Sequence, residues 1–118
     1  MRLNLGELIT RLSECPKDYL VVFDFGGLHP TQCDSYRGYY SDLAIGFSGE
    51  GLRPSVTLVI AMLKSAVGRT FTGWKGGDYK MTKKSLVWVA NPGDTSDTVI
   101  TSVQAHDYGV ILHTAWEP

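Results

Sequence analysis

Apolar residues first recur at helical spacing. Leu5, Leu8, Ile9 and Leu12 fall on one face, with polar residues between them. Asn4 precedes this face and Glu7 follows three residues later, the spacing of a capping box in which each side chain serves the other's backbone N–H. Leu3 and Leu8 bracket the cap as a hydrophobic staple. Pro16 disfavours helical backbone at Cys15 and predicts the stop. Residues 19–25 then form an apolar run rich in β-formers and too short for a helix, closed by Gly26–Gly27.

Residues 28–41 lack a regular pattern and are expected to form a long polar-aromatic loop. Alternation returns at 42–47, where Leu43, Ile45 and Phe47 share a face and predict a strand. After a turn through Gly49, Glu50 and Gly51, Ser55 is placed to cap a second helix. Val56, Val59, Ile60, Leu63 and Val67 are its expected buried face, with Gly68 at its C-terminal end. Strands are predicted over 78–81 and 86–90, and Asn91–Pro92–Gly93–Asp94 is a turn. In 98–106, Val99, Thr101, Val103 and Ala105 alternate, and Asp107–Tyr108–Gly109 links them to a last strand over 110–114.

The order α-β-β-α-β-β-β-β has no helix between its final strands. It predicts an α+β fold: a mostly antiparallel sheet of about five to six strands with two helices packed on one face. At 118 residues the chain fits a single domain, 1–118, able to build a real core.

Composition narrows the function classes. With 43% hydrophobic and 19% charged residues the chain is expected to be globular, and a net charge of −1 argues against a dedicated nucleic-acid or membrane-surface protein. No apolar stretch approaches the roughly 20 residues that span a bilayer, and the first ten residues lack a signal-peptide layout. A cytoplasmic location is therefore expected, with Cys15 and Cys33 as reduced thiols.

Short strings that look catalytic lack their context. Asp24–Phe25–Gly26 spells a kinase metal-binding triplet in a chain without the kinase catalytic loop. The run from Gly68 to Gly73 has the glycine spacing of a phosphate-binding loop. However, Trp74 stands at its lysine position, Lys75 is one place late and Gly76 replaces the serine or threonine. His29, His106 and His113 are scattered, and no pair has helical metal-ligand spacing. No cofactor or metal is expected, and a non-enzymatic role is favoured. A small enzyme around Asp24, His29 and Asp34 is the weakest alternative.

Two segments carry binding chemistry. Tyr36, Arg37, Tyr39 and Tyr40 combine apolar area with directed hydrogen bonds, as binding hot spots do. The other reading is that two of the tyrosines cover the core edge. Between residues 64 and 84 there are six basic residues against one acid, Asp78, with Phe71, Trp74 and Tyr79 interleaved. Basic residues track phosphates and rings stack on bases, so Arg69, Trp74, Lys75, Tyr79 and Lys80 suit a nucleotide or single-stranded nucleic acid. The other reading is a solvated basic face.

The opening Gly6–Glu7–Leu8–Ile9, then Pro16, Asp18 and Val22–Phe23–Asp24–Phe25, resembles the helix–strand start of small uncharacterised tailed-bacteriophage proteins. The segments Asp34–Ser35–Tyr36–Arg37–Gly38–Tyr39–Tyr40 and Gly73–Trp74–Lys75–Gly76–Gly77–Asp78–Tyr79 are similar to that group as well. The resemblance implies a phage product acting in a bacterial cytoplasm and implies no activity. The expectation is an accessory protein that binds a host protein, such as one of a defence or nucleic-acid-processing system, through its tyrosine–arginine segment.

Overall fold

The structure, a computed structural model, describes residues 2–36, 39–48, 53–72, 77–90, 97–107 and 109–116. Helix α1 (Leu5–Ser13) begins at the capping box: Asn4 Oδ1 accepts the Glu7 N–H at 2.8 Å and Glu7 Oε1 accepts the Asn4 N–H at 3.0 Å. Two further donors of its first turn also find acceptors. Leu5 N–H donates to Ser85 O at 2.9 Å and Gly6 N–H to Lys83 O at 2.8 Å, so a distant turn completes the helix start. Leu5, Leu8, Ile9 and Leu12 are buried, as their spacing predicts.

Eight strands and a second helix follow among the described residues: β1 (Leu20–Phe23), β2 (His29–Tyr36), β3 (Tyr39–Ser48), α2 (Val56–Ala66), β4 (Thr70–Thr72), β5 (Asp78–Lys80), β6 (Val87–Val89), β7 (Thr98–His106) and β8 (Gly109–Trp116). Ser55 Oγ caps α2 by accepting the Leu58 N–H at 3.3 Å, and Val56, Val59, Ile60 and Leu63 are buried. Gly68, at φ +81°, turns the chain out of the helix and donates its N–H to Met81 O at 2.7 Å. No helix of the described residues is long and apolar enough to cross a membrane.

The fold is α+β, and the sheet is mixed. Its order is β1-β8-β7-β6-β3-β2, and β4 and β5 form a separate two-stranded hairpin. The β1–β8 and β3–β6 pairs are parallel, which corrects the expectation of a mostly antiparallel sheet. The β2–β3, β6–β7 and β7–β8 pairs are antiparallel. Strand order and direction depend on long-range pairing that local pattern does not encode.

Two further expectations are corrected. Most of 28–41, expected as loop, is strand: β2 and the start of β3 pair from His29↔Ser48 to Tyr36↔Tyr39. The polar pattern of β2 and its Pro30 fit an edge strand, the place where a missing N–H and a half-wet face are tolerated. In β7 a register shift between Ile100 and Ser102 breaks the predicted alternation. Val99 therefore lies on one face of the sheet while Ile100 and Val103 belong to the core on the other.

That core joins both helices to Val21, Phe23, Leu43, Ile45, Val87, Val89, Ile100, Val110 and Leu112. The sheet curls around it far enough for its outermost strands to meet. Phe23 N–H donates to Leu28 O at 2.9 Å, and His29 Nδ1 lies 2.9 Å from Val21 O. A carbonyl only accepts, so the Nδ1 of this buried imidazole carries the proton and latches β2 to β1.

Candidate binding site

Tyr36 lies at the end of β2 and is fully buried. Its ring stacks on Trp88 with centroids 4.8 Å apart, and its hydroxyl accepts the Asp97 N–H at 3.1 Å. Trp88 Nε1 donates to Asp42 Oδ2 at 2.8 Å, and the Arg2 guanidinium sits 4.1 Å over the indole. The stack packs with Ala44, Ala90 and Val99 on the face opposite the helices. Tyr36 is therefore packing and not a contact surface, which corrects its assignment as a binding residue. Arg37 lies outside the described residues. Tyr39 and Tyr40 open β3, and their side chains lie outside the description.

The basic segment is built around the β4–β5 hairpin. Trp74 and Lys75 lie outside the described residues. Phe71 is buried in the main core and pairs across the hairpin with the half-buried Tyr79. Arg69 is exposed and lays its guanidinium 4.5 Å over Phe71, while Lys80 is exposed. Tyr36 and Phe71 thus belong to clusters on opposite faces of the main sheet, and the described members of the two segments do not meet in one cleft. Beneath the hairpin, burial pushes the Cys33 thiol up to about 12, and the Arg69 charge offsets only part of this.

Asp24, His29 and Asp34 serve separate backbone tasks. Asp24 accepts the Thr114 N–H at 2.8 Å and the Thr114 hydroxyl at 2.6 Å, and lies 3.8 Å from His113 Nδ1. His29 holds Val21 O, and Asp34 accepts the N–H of its neighbour Ser35 at 2.8 Å. None of the three lines either described cavity. Among the described residues no group of three or more His, Cys, Asp or Glu side chains could hold a metal.

A site that the sequence reading missed lies at the open end of the curled sheet. Phe25, Phe47, Val89, Thr98, Thr114, Ala115 and Trp116 line a cavity of about 350 Å³, within the range of ligand pockets. It forms because the core-facing rows of β3, β6, β7 and β8 end here beyond the reach of the helices. Phe23, Phe25 and Phe47 are in mutual ring contact: Phe23 stacks on Phe25 at 5.3 Å, and Phe47 meets Phe25 edge-on at 5.4 Å and Phe23 edge-on at 6.1 Å. Trp116, the last residue of β8, stands on the rim 73% exposed. Among the described residues that line it none is charged, and its side-chain polar groups are the hydroxyls of Thr98 and Thr114 and the indole N–H of Trp116. Its members are spread from 25 to 116 in sequence, so no local motif marks them.

A second hollow of about 540 Å³ runs along α1 between Asn4, Glu7, Arg11, Glu14, Lys83 and Lys84. Its charges are of both signs, and Asn4 and Glu7 are occupied by the capping box. No protein-family model, curated protein or solved structure matches the chain.

Proposed function

We propose that the chain is a non-enzymatic binding protein, a small bacteriophage accessory factor that docks on a host bacterial protein through the aromatic mouth of its sheet. The observation that carries this reading is Trp116, 73% exposed beside a pocket walled by Phe25 and Phe47 whose described lining is uncharged. An indole left in water next to a concave apolar surface is the composition of an interface hot spot: a large rigid ring, a neighbouring pocket and little polar surface to desolvate. The resemblance of the helix–strand opening and the two aromatic-glycine segments to tailed-phage proteins supports a bacterial partner.

The test is retention of polypeptides from bacterial lysate by the immobilised chain, its Trp116→Ala variant and a Lys80→Ala control. The expected result is one stoichiometric polypeptide held by wild type and Lys80→Ala and lost from Trp116→Ala, with far-UV circular dichroism unchanged. Equal retention by Trp116→Ala, or no stoichiometric polypeptide on wild type, overturns the reading. Retention of nucleic acid that falls steeply with salt and with Lys80→Ala assigns the basic hairpin instead.

A further inference from the structure

We infer that the mouth takes an extended peptide strand, which adds to the sheet beside residues 114–116 of β8 and places an uncharged apolar side chain in the Phe25–Phe47 pocket. The inference rests on the protein-binding reading above and specifies the chemistry of the partner segment.

The lane for that strand is defined by where β1 stops. β1 runs parallel to β8 from Leu20↔Gly109 to Phe23↔Leu112, and Asp24 N–H donates to Leu112 O at 3.1 Å. Gly26 and Gly27, both in the left-handed region at φ +60° and +62°, then turn the chain away into β2. β8 continues for four more residues, to Trp116. The next N–H on this side belongs to Thr114 and is taken by the Asp24 carboxylate, which stands where the carbonyl of a neighbouring strand would be.

Backbone groups of a strand alternate between its two edges. Leu112 O and Thr114 N–H face the β1 side, so Thr114 C=O and Trp116 N–H face it too. Among the described residues no strand pairs with β8 on this side beyond Leu112. An acceptor and a donor two residues apart, at the edge of a sheet, fit the backbone of an extended chain and not a compact small molecule. The pocket opens on the same lane. The Cβ row of Thr114 and Trp116 lines it, and Phe25 sits where β1 would have continued. A strand in this lane would point alternate side chains inward. No described lining residue is charged, so an inserted charge would be desolvated without a partner among them.

The probe is a blocked pentapeptide of alternating threonine and valine with a central phenylalanine, titrated into the ¹⁵N-labelled full chain. Its companions are a central-aspartate version and two versions N-methylated on one or the other alternating set of amides. Expected are shifts of the Thr114 and Trp116 amides, at least tenfold slower hydrogen exchange at Trp116, and at least tenfold weaker binding of the aspartate peptide. One N-methylated set abolishes binding while the other leaves it within about twofold. Equal binding by both N-methylated peptides overturns strand addition while leaving a protein-binding mouth. Absence of any shift at Thr114 and Trp116, with Trp116 still required for lysate capture, does the same. Saturation of the mouth by indole at the affinity of the peptide overturns the inference in favour of a small-molecule pocket, and loss of Trp116-dependent capture removes the protein-binding reading itself.

Discussion

Gly6→Ala sets local propensity against a tertiary contact and so predicts a sign. Gly6 lies in the first turn of α1, and an alanine there gains up to about 1 kcal/mol of helix propensity. A Cβ at this position, however, would lie 2.9 Å from Lys83 Cβ and 3.0 Å from Lys83 O. Neither atom can swing aside as the end of a flexible chain could. The turn carrying them is fixed by Ser85 N–H to Thr82 O at 3.0 Å and Thr82 N–H to Ser85 Oγ at 2.9 Å. Relieving the overlap moves this turn by several tenths of an ångström and stretches the bonds it accepts from Leu5 and Gly6. Overpacking of this kind costs about 1–3 kcal/mol, and each weakened hydrogen bond up to about 1 kcal/mol. The net expectation is a loss of about 1–3 kcal/mol. At roughly 4 °C per kcal/mol for a chain of this size, Tm falls by about 4–12 °C. Urea denaturation followed by circular dichroism measures the change directly. Thr10→Ala, at an exposed position on the same helix, is the matched control and should gain about 0.5 kcal/mol. A Gly6→Ala variant as stable as wild type, or more so, would refute the contact with Lys83 as the reason for glycine here.

Two other predictions come from the half-buried Cys33 and the buried Tyr36. Because burial raises the Cys33 thiol to about 12, only about one part in ten thousand is thiolate at pH 8. Iodoacetamide should therefore label Cys15 before Cys33 in the native chain, although burial raises that thiol too, and unfolding should speed labelling most at Cys33. Peptide mapping showing equal native labelling would contradict this burial. A folded-state value above the unfolded one means that the contribution of Cys33 to stability is intact below about pH 9 and is lost as pH rises toward 12. Tyr36→Ala should cost about 3–5 kcal/mol by emptying the place stacked on Trp88, and Tyr36→Phe about 1 kcal/mol by leaving Asp97 N–H without its acceptor. A Tyr36→Ala variant of wild-type stability would return this residue to the surface role read from the sequence.

The parts of the fold legible in the sequence are those in which one segment determines its own state. The capping box at Asn4 and Glu7, the buried stripes of both helices and the β7–β8 hairpin depend on neighbours within a few residues. β2 was not legible because an edge strand needs no continuous apolar run: Gln32, Asp34 and Ser35 satisfy half-wet positions that also read as loop. The parallel pairs were hidden for a different reason, since β1 meets β8 across almost ninety residues and nothing in either strand names its partner. The tyrosine-rich segment shows how composition misleads about exposure. Tyrosine suits an interface and a stacked core equally, and Trp88, more than fifty residues away, decides between them at Tyr36.

The aromatic mouth arises from the same departures from a regular sheet. A short β1, ended by two glycines at positive φ, leaves β8 longer than its neighbour and sends Phe25 inward in place of a further strand residue. Curling of the sheet then brings Phe47, four places away in strand order, within ring contact of Phe23 and Phe25. With both helices packed over the rest of the core, the end lined by Phe25 and Phe47 keeps apolar walls and a backbone edge side by side. Extending β1 by three residues, through position 26, would pair Trp116 N–H and fill the lane. The glycine turn that looks like a simple strand terminator is therefore also what creates the proposed binding edge.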